Sequence, residues 1–481
     1  MQMITLSHVL YALVTLSIIL VMFFRRGVVI PALFGTFIIG WVFKGDLISG
    51  FKAVYNANLT AAKELFTIFL IITFMVALLA SLRDIGADRR MIRPIQKFIV
   101  NGHIAFLVLA VITFVISLFF WPTPAVPLIG ALLIPSAIRV GLPPMGAAMA
   151  VALAGQGMAL SSDYIMQVAP MLSASGAGVS TESVADKAVI LSLITGVVAL
   201  SIAYLLNRKQ IKEPLSVSDS DAVAENLIIN SAEQSEVAAT LEEATPYMQK
   251  WSKILALLVP LSMLGVMIVM AVSKFGNGGL EGGDGAAFVG GVAIILLIFS
   301  TTIFKKINAL DKISDHLVEG FVFAFKAMGP IIPIAGFFFL GNSDFSGSIL
   351  SVGDGVAAPA FLFELVASVQ DNIPANSFLT AFGILAIGIV TGLDGSGFSG
   401  LPLTGSLSGA LAPAVGMDPS ALAAVGQMGA IWAGGGTFIA WSSLVAVAGF
   451  AGVSVIELAR KNFLPVIAGL SIATIVSVIV W

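Results

Sequence analysis

The sequence has no cysteine and only three histidines in 481 residues. Without cysteine there can be no disulfide, no thiolate metal site and no cysteine nucleophile. His8, His103 and His316 lie far apart and suggest no metal cluster. Charge is scarce as well. Asp, Glu, Lys and Arg make up 11% of the chain, against roughly 25% in soluble domains. A net charge of −3 supplies no basic surface for nucleic acid, so no such partner is expected. No Walker sequence is present, which argues against ATP-driven transport within this chain.

What fills the chain is apolar. Hydrophobic residues reach 58% and mean hydropathy is +1.03. Several runs are long enough to cross a hydrocarbon core as helices. The composition therefore predicts an all-α polytopic protein of the cell (inner or plasma) membrane, in contact with lipid on most sides. The first run has no basic residue before it and no small-residue cleavage site, so it reads as a retained helix rather than a cleaved signal. Candidate spans cover residues 3–24, 27–43, 65–82, 144–172, 187–206, 254–272, 286–304, 317–340, 419–450 and 464–481. Two further apolar pieces, 104–140 and 378–415, are too long for one crossing and are interrupted by Pro or Gly near the middle.

Positive charge concentrates on cytoplasmic loops. If both interrupted pieces enter and return as re-entrant hairpins, 18 of the 24 Lys and Arg residues fall inside and five outside. Were either piece to cross once, every later loop would change sides and the bias would weaken. This predicts about ten spans with both termini outside. Residues 208–250 then form a cytoplasmic linker, acidic and poor in apolar side chains. Such a segment buries too little surface to offset its ordering entropy. A short helix is expected around residues 231–244.

The linker separates two halves, 1–207 and 251–481. "PAVPLIGALLIPSAIRVGLPP" (124–144) aligns without gaps to "SGLPLTGSLSGALAPAVGMDP" (399–419), pairing Pro127 with Pro402, Gly130 with Gly405, Gly141 with Gly416 and Pro144 with Pro419. Each half then carries a long span with a glycine-rich centre. With five spans per half, the second half is inverted relative to the first, a layout used by secondary transporters. A connector at 83–99 reads as an amphipathic surface helix, with a counterpart at 361–369.

Four interruptions result, at 121–127, 155–163, 393–402 and 434–443. Broken backbone at membrane depth is tolerated only against protein or a watery cavity, so the interruptions are expected to converge. Their polar groups are candidate substrate ligands: Thr123, Pro124, Gln156, Ser161, Ser162, Ser396, Gly397, Ser399, Thr404, Thr437 and Ser442. Asp163 and Asp394 are intramembrane carboxylates and so candidates to bind or exchange a coupling ion. Gly434, Gly435 and Gly436 permit unwinding, whose freed carbonyls suit sodium. The expected ligands are a small organic anion and sodium or a proton, with no other cofactor or metal.

"PTPAVPLIGALLIPSA", "GFSGLPLTGSLSGALAPAVGMDPSALAAV" and "GGGTFIAWSS" resemble the hairpin return arms and the second break of the ion transporter superfamily, specifically its divalent anion:sodium symporter architecture. The chain departs from that pattern at the tips. Pro122-Thr123-Pro124 and Ser396-Gly397-Phe398-Ser399 stand in place of Ser-Asn-Thr. The resemblance implies a homodimer with a scaffold domain and a hairpin-bearing domain that moves as an elevator. Function is thus expected to be sodium- or proton-coupled uptake of a carboxylate-type solute. A cation/proton antiporter using Asp163 and Asp394 is the alternative. A membrane-embedded enzyme is disfavoured, because no His or Cys lies in any break.

Overall fold

A computed structural model of the protein describes residues 4–24, 26–120, 122–213, 246–275, 284–353, 356–369, 376–394, 397–439 and 442–481. These residues are helical or in short connections, and no strand occurs among them. In hydrocarbon a helix pairs every interior backbone group within itself. Its ends need other partners, which here are short polar side chains. Asp46, Asn101, Asn376 and Asp418 each accept from a backbone N–H in the first turn that follows them.

One body is built from α1 (Leu6–Phe23), α2 (Val29–Lys44) and the long α3 (Leu47–Asp84), with later helices α11 (Asp284–Lys305), α12 (Ala309–Met328), α13 (Ile331–Phe339) and α14 (Ser343–Ile349) packed on α3. The 38 residues of α3 extend for about 57 Å, nearly twice a hydrocarbon core. The helix bends by 45° between Leu47–Thr67 and Phe69–Asp84. The sequence predicted a span at 65–82 only, because Asn56, Asn58, Lys63 and Glu64 dilute the hydropathy of the first half. The predicted span 317–340 is in fact two helices, α12 and α13, divided at Gly329-Pro330.

The second body holds the hairpins. The first hairpin is α5 (Gly102–Phe119) with α6 (Pro122–Arg139), and the second is α16 (Ser377–Thr391) with α17 (Leu401–Val415). The base of the first closes on itself: a methyl group on Gly102 would lie 3.0 Å from the backbone nitrogen of Leu142. Both arms therefore end on one side. The second closes at its tip, where a methyl on Gly400 would overlap the Thr391 side chain. Around the hairpins run α7 (Pro144–Ser162), α8 (Val168–Ala177), α9 (Thr181–Asn207), α18 (Pro419–Gly434), α19 (Ser442–Ala451) and α20 (Val455–Val480). Gly102–Phe119, Pro144–Ser162, Thr181–Gln210, Ala287–Lys326 and Val455–Val480 are long and apolar enough to cross a bilayer, and the bent α3 adds a sixth.

The two hairpins are held in matching ways. Return arm α6 packs on α19, and return arm α17 packs on α8, so each leans on the half-helix that follows the other's break. Both hairpins open with an asparagine cap, Asn101 and Asn376, at the interval that also separates Pro127 from Pro402. Both return arms are followed by a left-handed glycine, Gly141 at φ +93° and Gly416 at φ +68°.

Between the bodies, α17 also contacts α13 and α15 (Phe361–Val369). The expected connector helix at 83–99 is shorter and divided. It consists of the end of α3, α4 (Ala87–Ile92) and a 3-10 turn, Arg93–Phe98. After the linker, α10 begins at Pro246 (Pro246–Phe275), earlier than the expected boundary at 250. The expected helix at 231–244 lies outside the described residues.

Candidate functional site

The site grows from α7. This helix is buried from Met145 to Ser162, and its middle, Ala152–Ala159, is π-helical. Where the sequence suggested an interruption at 155–163, the chain keeps a wider helix through Ala159. A π-segment of eight residues is unusual, since most are single turns, and such turns recur at functional sites.

Small residues let neighbours reach this segment from several directions. A methyl on Gly155 would stand 2.8 Å from Cγ2 of Thr113, 3.1 Å from Cγ2 of Val126 near the first hairpin tip, and 3.3 Å from Oγ of Ser117. On Gly157 it would meet the Trp432 ring at 2.3 Å. On Gly435 it would meet the carbonyl oxygen of Gln156 at 2.6 Å. On Gly434 it would strike the backbone of Gly397, in the second hairpin tip, at 2.2 Å. Residues 155–157 thus lie against side chains of α5, α6 and α18 and against the backbone at Gly435, while Gly434 lies against the second hairpin tip.

The break in the first long span falls after this segment. Asp163 adopts φ +33°, and the helix resumes only at Val168. Its carboxylate is buried, and Oδ2 accepts from the Ala169 backbone N–H at 2.7 Å, in the first turn of α8. Held there, the carboxylate faces the positive end of that helix. Gln427 of α18 ties the break together. Its Nε2 donates to the Ser161 carbonyl at 2.9 Å, and its Oε1 accepts from the Ser173 hydroxyl at 3.1 Å. Ser161 Oγ donates to Ser192 Oγ at 2.9 Å, which in turn donates to the Met158 carbonyl.

The sequence-predicted residues divide sharply. Ser162, Thr404 and Thr437 spend their hydroxyls on backbone carbonyls of their own helix or turn. Ser161 is bound in the network just described. Ser399 is buried near the second tip, and Gly397 there takes φ +71°. Gly434 ends α18, with Gly435 and Gly436 in the turn that follows. Thr123 and Pro124 lie in the first turn of α6, Asp394 closes a 3-10 turn, and Ser442 opens α19. Ser396 is outside the described residues. The prolines at 122–127 were expected to form the first hairpin's turn. They begin the return helix instead: Pro122 and Pro124 stand in its first turn, where a missing N–H leaves no bond unmade, and Pro127 follows one turn later, where it removes one.

Gln156 alone of these candidates has both amide atoms buried without a hydrogen-bond partner. Near it, the sequence reading missed Thr113 and Ser117, buried hydroxyls that are likewise unpaired, and the unpaired indole N–H of Trp432. Thr113 and Ser117 are one helical turn apart on α5. That spacing was legible, but nothing in the sequence placed their face on Gly155.

No family model matches the chain. It is 37% identical over 474 residues to the membrane protein YhfA of Bacillus subtilis, covering 98% of this chain and 97% of YhfA. The chain belongs to the YhfA family of membrane proteins. Among solved structures it resembles Neisseria gonorrhoeae MtrF, described with a class of antimetabolite efflux pumps, at a TM-score of 0.54 and 13% identity over 89% of this chain and 83% of MtrF. It also resembles the Alcanivorax borkumensis YdaH transporter, at a TM-score of 0.51 and 14% identity over 89% of this chain and 88% of YdaH. At these identities the likeness is one of fold, and it gives this member of the YhfA family the architecture of those two proteins.

Proposed function

We propose that the chain is a secondary active transporter that carries a small organic anion, coupled to sodium or protons. The observation that carries the reading is the unpaired amide of Gln156, buried in the π-helical segment beside Gly435 and one residue from the contacts of Gly155 with Thr113, Ser117 and Val126. A buried polar group without a partner costs on the order of 1–3 kcal/mol, and a ligand that completes its hydrogen bonds recovers that energy on binding. The amide N–H and the neighbouring Trp432 N–H are donors suited to a carboxylate. Asp163 and Asp394, with the carbonyls near Gly434–Gly436, are assigned to the coupling cation. The fold shared with YdaH and MtrF supports transport. In this reading the hairpin-bearing body moves against the α1–α3 body, in a homodimer.

The test is a thermal-shift screen of the purified protein against organic anions, with sodium and with potassium in its place, followed by uptake and efflux in proteoliposomes. A solute that raises Tm only in the wild type, and not in Gln156→Met, supports the assignment. Sodium-driven proton flux in dye-loaded liposomes with no dependence on any organic solute would sink it and favour cation/proton exchange.

A further inference from the structure

Away from the transport site, unpaired cations collect at the ends of elements distant in sequence. Arg90 lies on α4 and Arg93 opens the 3-10 turn after it, Lys250 and Lys253 occupy the first turns of α10, and Lys305 and Lys306 lie where α11 gives way to α12. Helix α10 packs against both α4 and α11, which brings these ends to one face. Among the described residues none of the six is ion-paired. Two nearby carboxylates are engaged elsewhere: Asp84 faces Lys312 and His316, and Asp88 accepts from the Arg89 N–H; Asp311, in the first turn of α12, pairs with none of the six.

The surroundings are amphipathic. Tyr247 and Trp251 stand side by side at the start of α10, ring centroids 6.3 Å apart, and Nζ of Lys306 lies 5.4 Å from the Tyr247 ring. Directly beside the lysines, Ile307 is 91% and Leu310 78% exposed. Lys306 itself holds φ +51°, a left-handed backbone at a helix end where glycine is the usual occupant. Strain of this kind persists where the surroundings hold it in place.

We infer that this face binds the headgroup phosphate of an anionic phospholipid, with the acyl chains lying along the exposed apolar side chains next to it. Tyrosine and tryptophan mark the level of the headgroups in membrane proteins. Basic groups between helices at that level hold anionic headgroups. The general excess of Lys and Arg on one side of a membrane accounts for positive charge, but not for its convergence from three segments around an aromatic pair. A soluble anion would meet the same cations yet leave Ile307 and Leu310 exposed.

The experiment uses the full chain in detergent, supplemented with phosphatidylglycerol, phosphatidylcholine or inorganic phosphate, with Tm and lipid retention by native mass spectrometry as readouts. Phosphatidylglycerol is expected to raise Tm by several degrees over phosphatidylcholine and to remain bound. The variant Lys250→Gln, Lys253→Gln, Lys305→Gln, Lys306→Gln should lose most of that increment and the bound lipid, with an unchanged Tm in phosphatidylcholine. A control variant, Lys52→Gln with Lys63→Gln, should keep both. The inference is overturned if phosphatidylglycerol has no effect on the wild type, if the four-lysine variant keeps the full increment, if the control loses as much, or if inorganic phosphate stabilises equally.

Discussion

Gln427 reaches from α18 to the Ser161 carbonyl, 2.9 Å away, at the point where α7 is about to end. That carbonyl belongs to the last turn of a helix, where four acceptors lack intrahelical donors. The same side chain accepts from Ser173 on the far side of the break, so one amide spans the interruption.

Gln427→Leu should therefore be destabilising. It leaves a buried carbonyl and a buried hydroxyl without partners, a loss of about 1–3 kcal/mol for each group that finds no substitute. Thermal unfolding in detergent would register the change. An unaltered midpoint would mean that the break does not depend on this bridge.

Gln156 predicts the opposite sign. Its amide atoms have no partner to lose, so Gln156→Met should hold or raise the unfolding midpoint while abolishing any solute-dependent shift. Gains in stability at the expense of activity are expected where a site is built from unsatisfied groups. A clear drop in stability would show that the amide is structural.

Glycine contacts offer a graded test. A methyl at Gly434 would sit 2.2 Å and 2.4 Å from the N and Cα of Gly397, main-chain atoms that cannot rotate aside. Gly434→Ala should cost about 3 kcal/mol or prevent folding. Gly449, in α19, has nothing within 4 Å. Gly449→Ala should be neutral or stabilise by about 0.5–1 kcal/mol through helix propensity. Similar effects at both positions would contradict the packing of the second hairpin tip on α18.

Lys187 and Asp418 link α9 to the start of α18 across 2.8 Å. Burial alone would raise the Asp418 carboxyl, but hydrogen bonds from Lys187 and Ser420 outweigh it and hold it below its usual range. A carboxyl depressed in the folded state adds stability above its unfolded pKa of about 3.9, and that stability is lost as pH falls through the folded value. The pair is partly exposed, so its contribution stays under about 1 kcal/mol. Wild type and Asp418→Asn should differ in midpoint at neutral pH and converge in strong acid. A constant difference would remove the carboxylate from the explanation.

The sequence was most legible where backbone chemistry is most constrained. Proline and glycine marked the ends where α5 gives way to α6 and α16 to α17, and the helix at 361–369 was expected as the counterpart of the connector at 83–99. Hydropathy failed where polar residues interrupt a helix that buries only one stripe, as in the first half of α3, where Ala53, Ala57, Ala61 and Leu65 are buried. It also failed at Gly329-Pro330, where an apolar run hides a division between helices. The prolines at 122–127 signalled an interruption correctly, yet proline also starts helices, and only the coordinates separate a turn from a first turn. The π-helical stretch had no visible signature in the sequence. Hydroxyls known only by residue type could not be sorted into free and spent, since that depends on rotamers and partners.

One property of α7 reaches beyond its contacts. A helix wound in the π form holds more residues per turn than the same chain wound in the α form, and the two windings exchange one set of backbone bonds for another. Tightening Ala152–Ala159 would turn everything after it like the end of a screw, carrying Ser161, Asp163 and the start of α8 around the axis while Pro144 stayed still. A span built this way can change what it presents at its centre without leaving the membrane, lengthening a loop or opening a hinge.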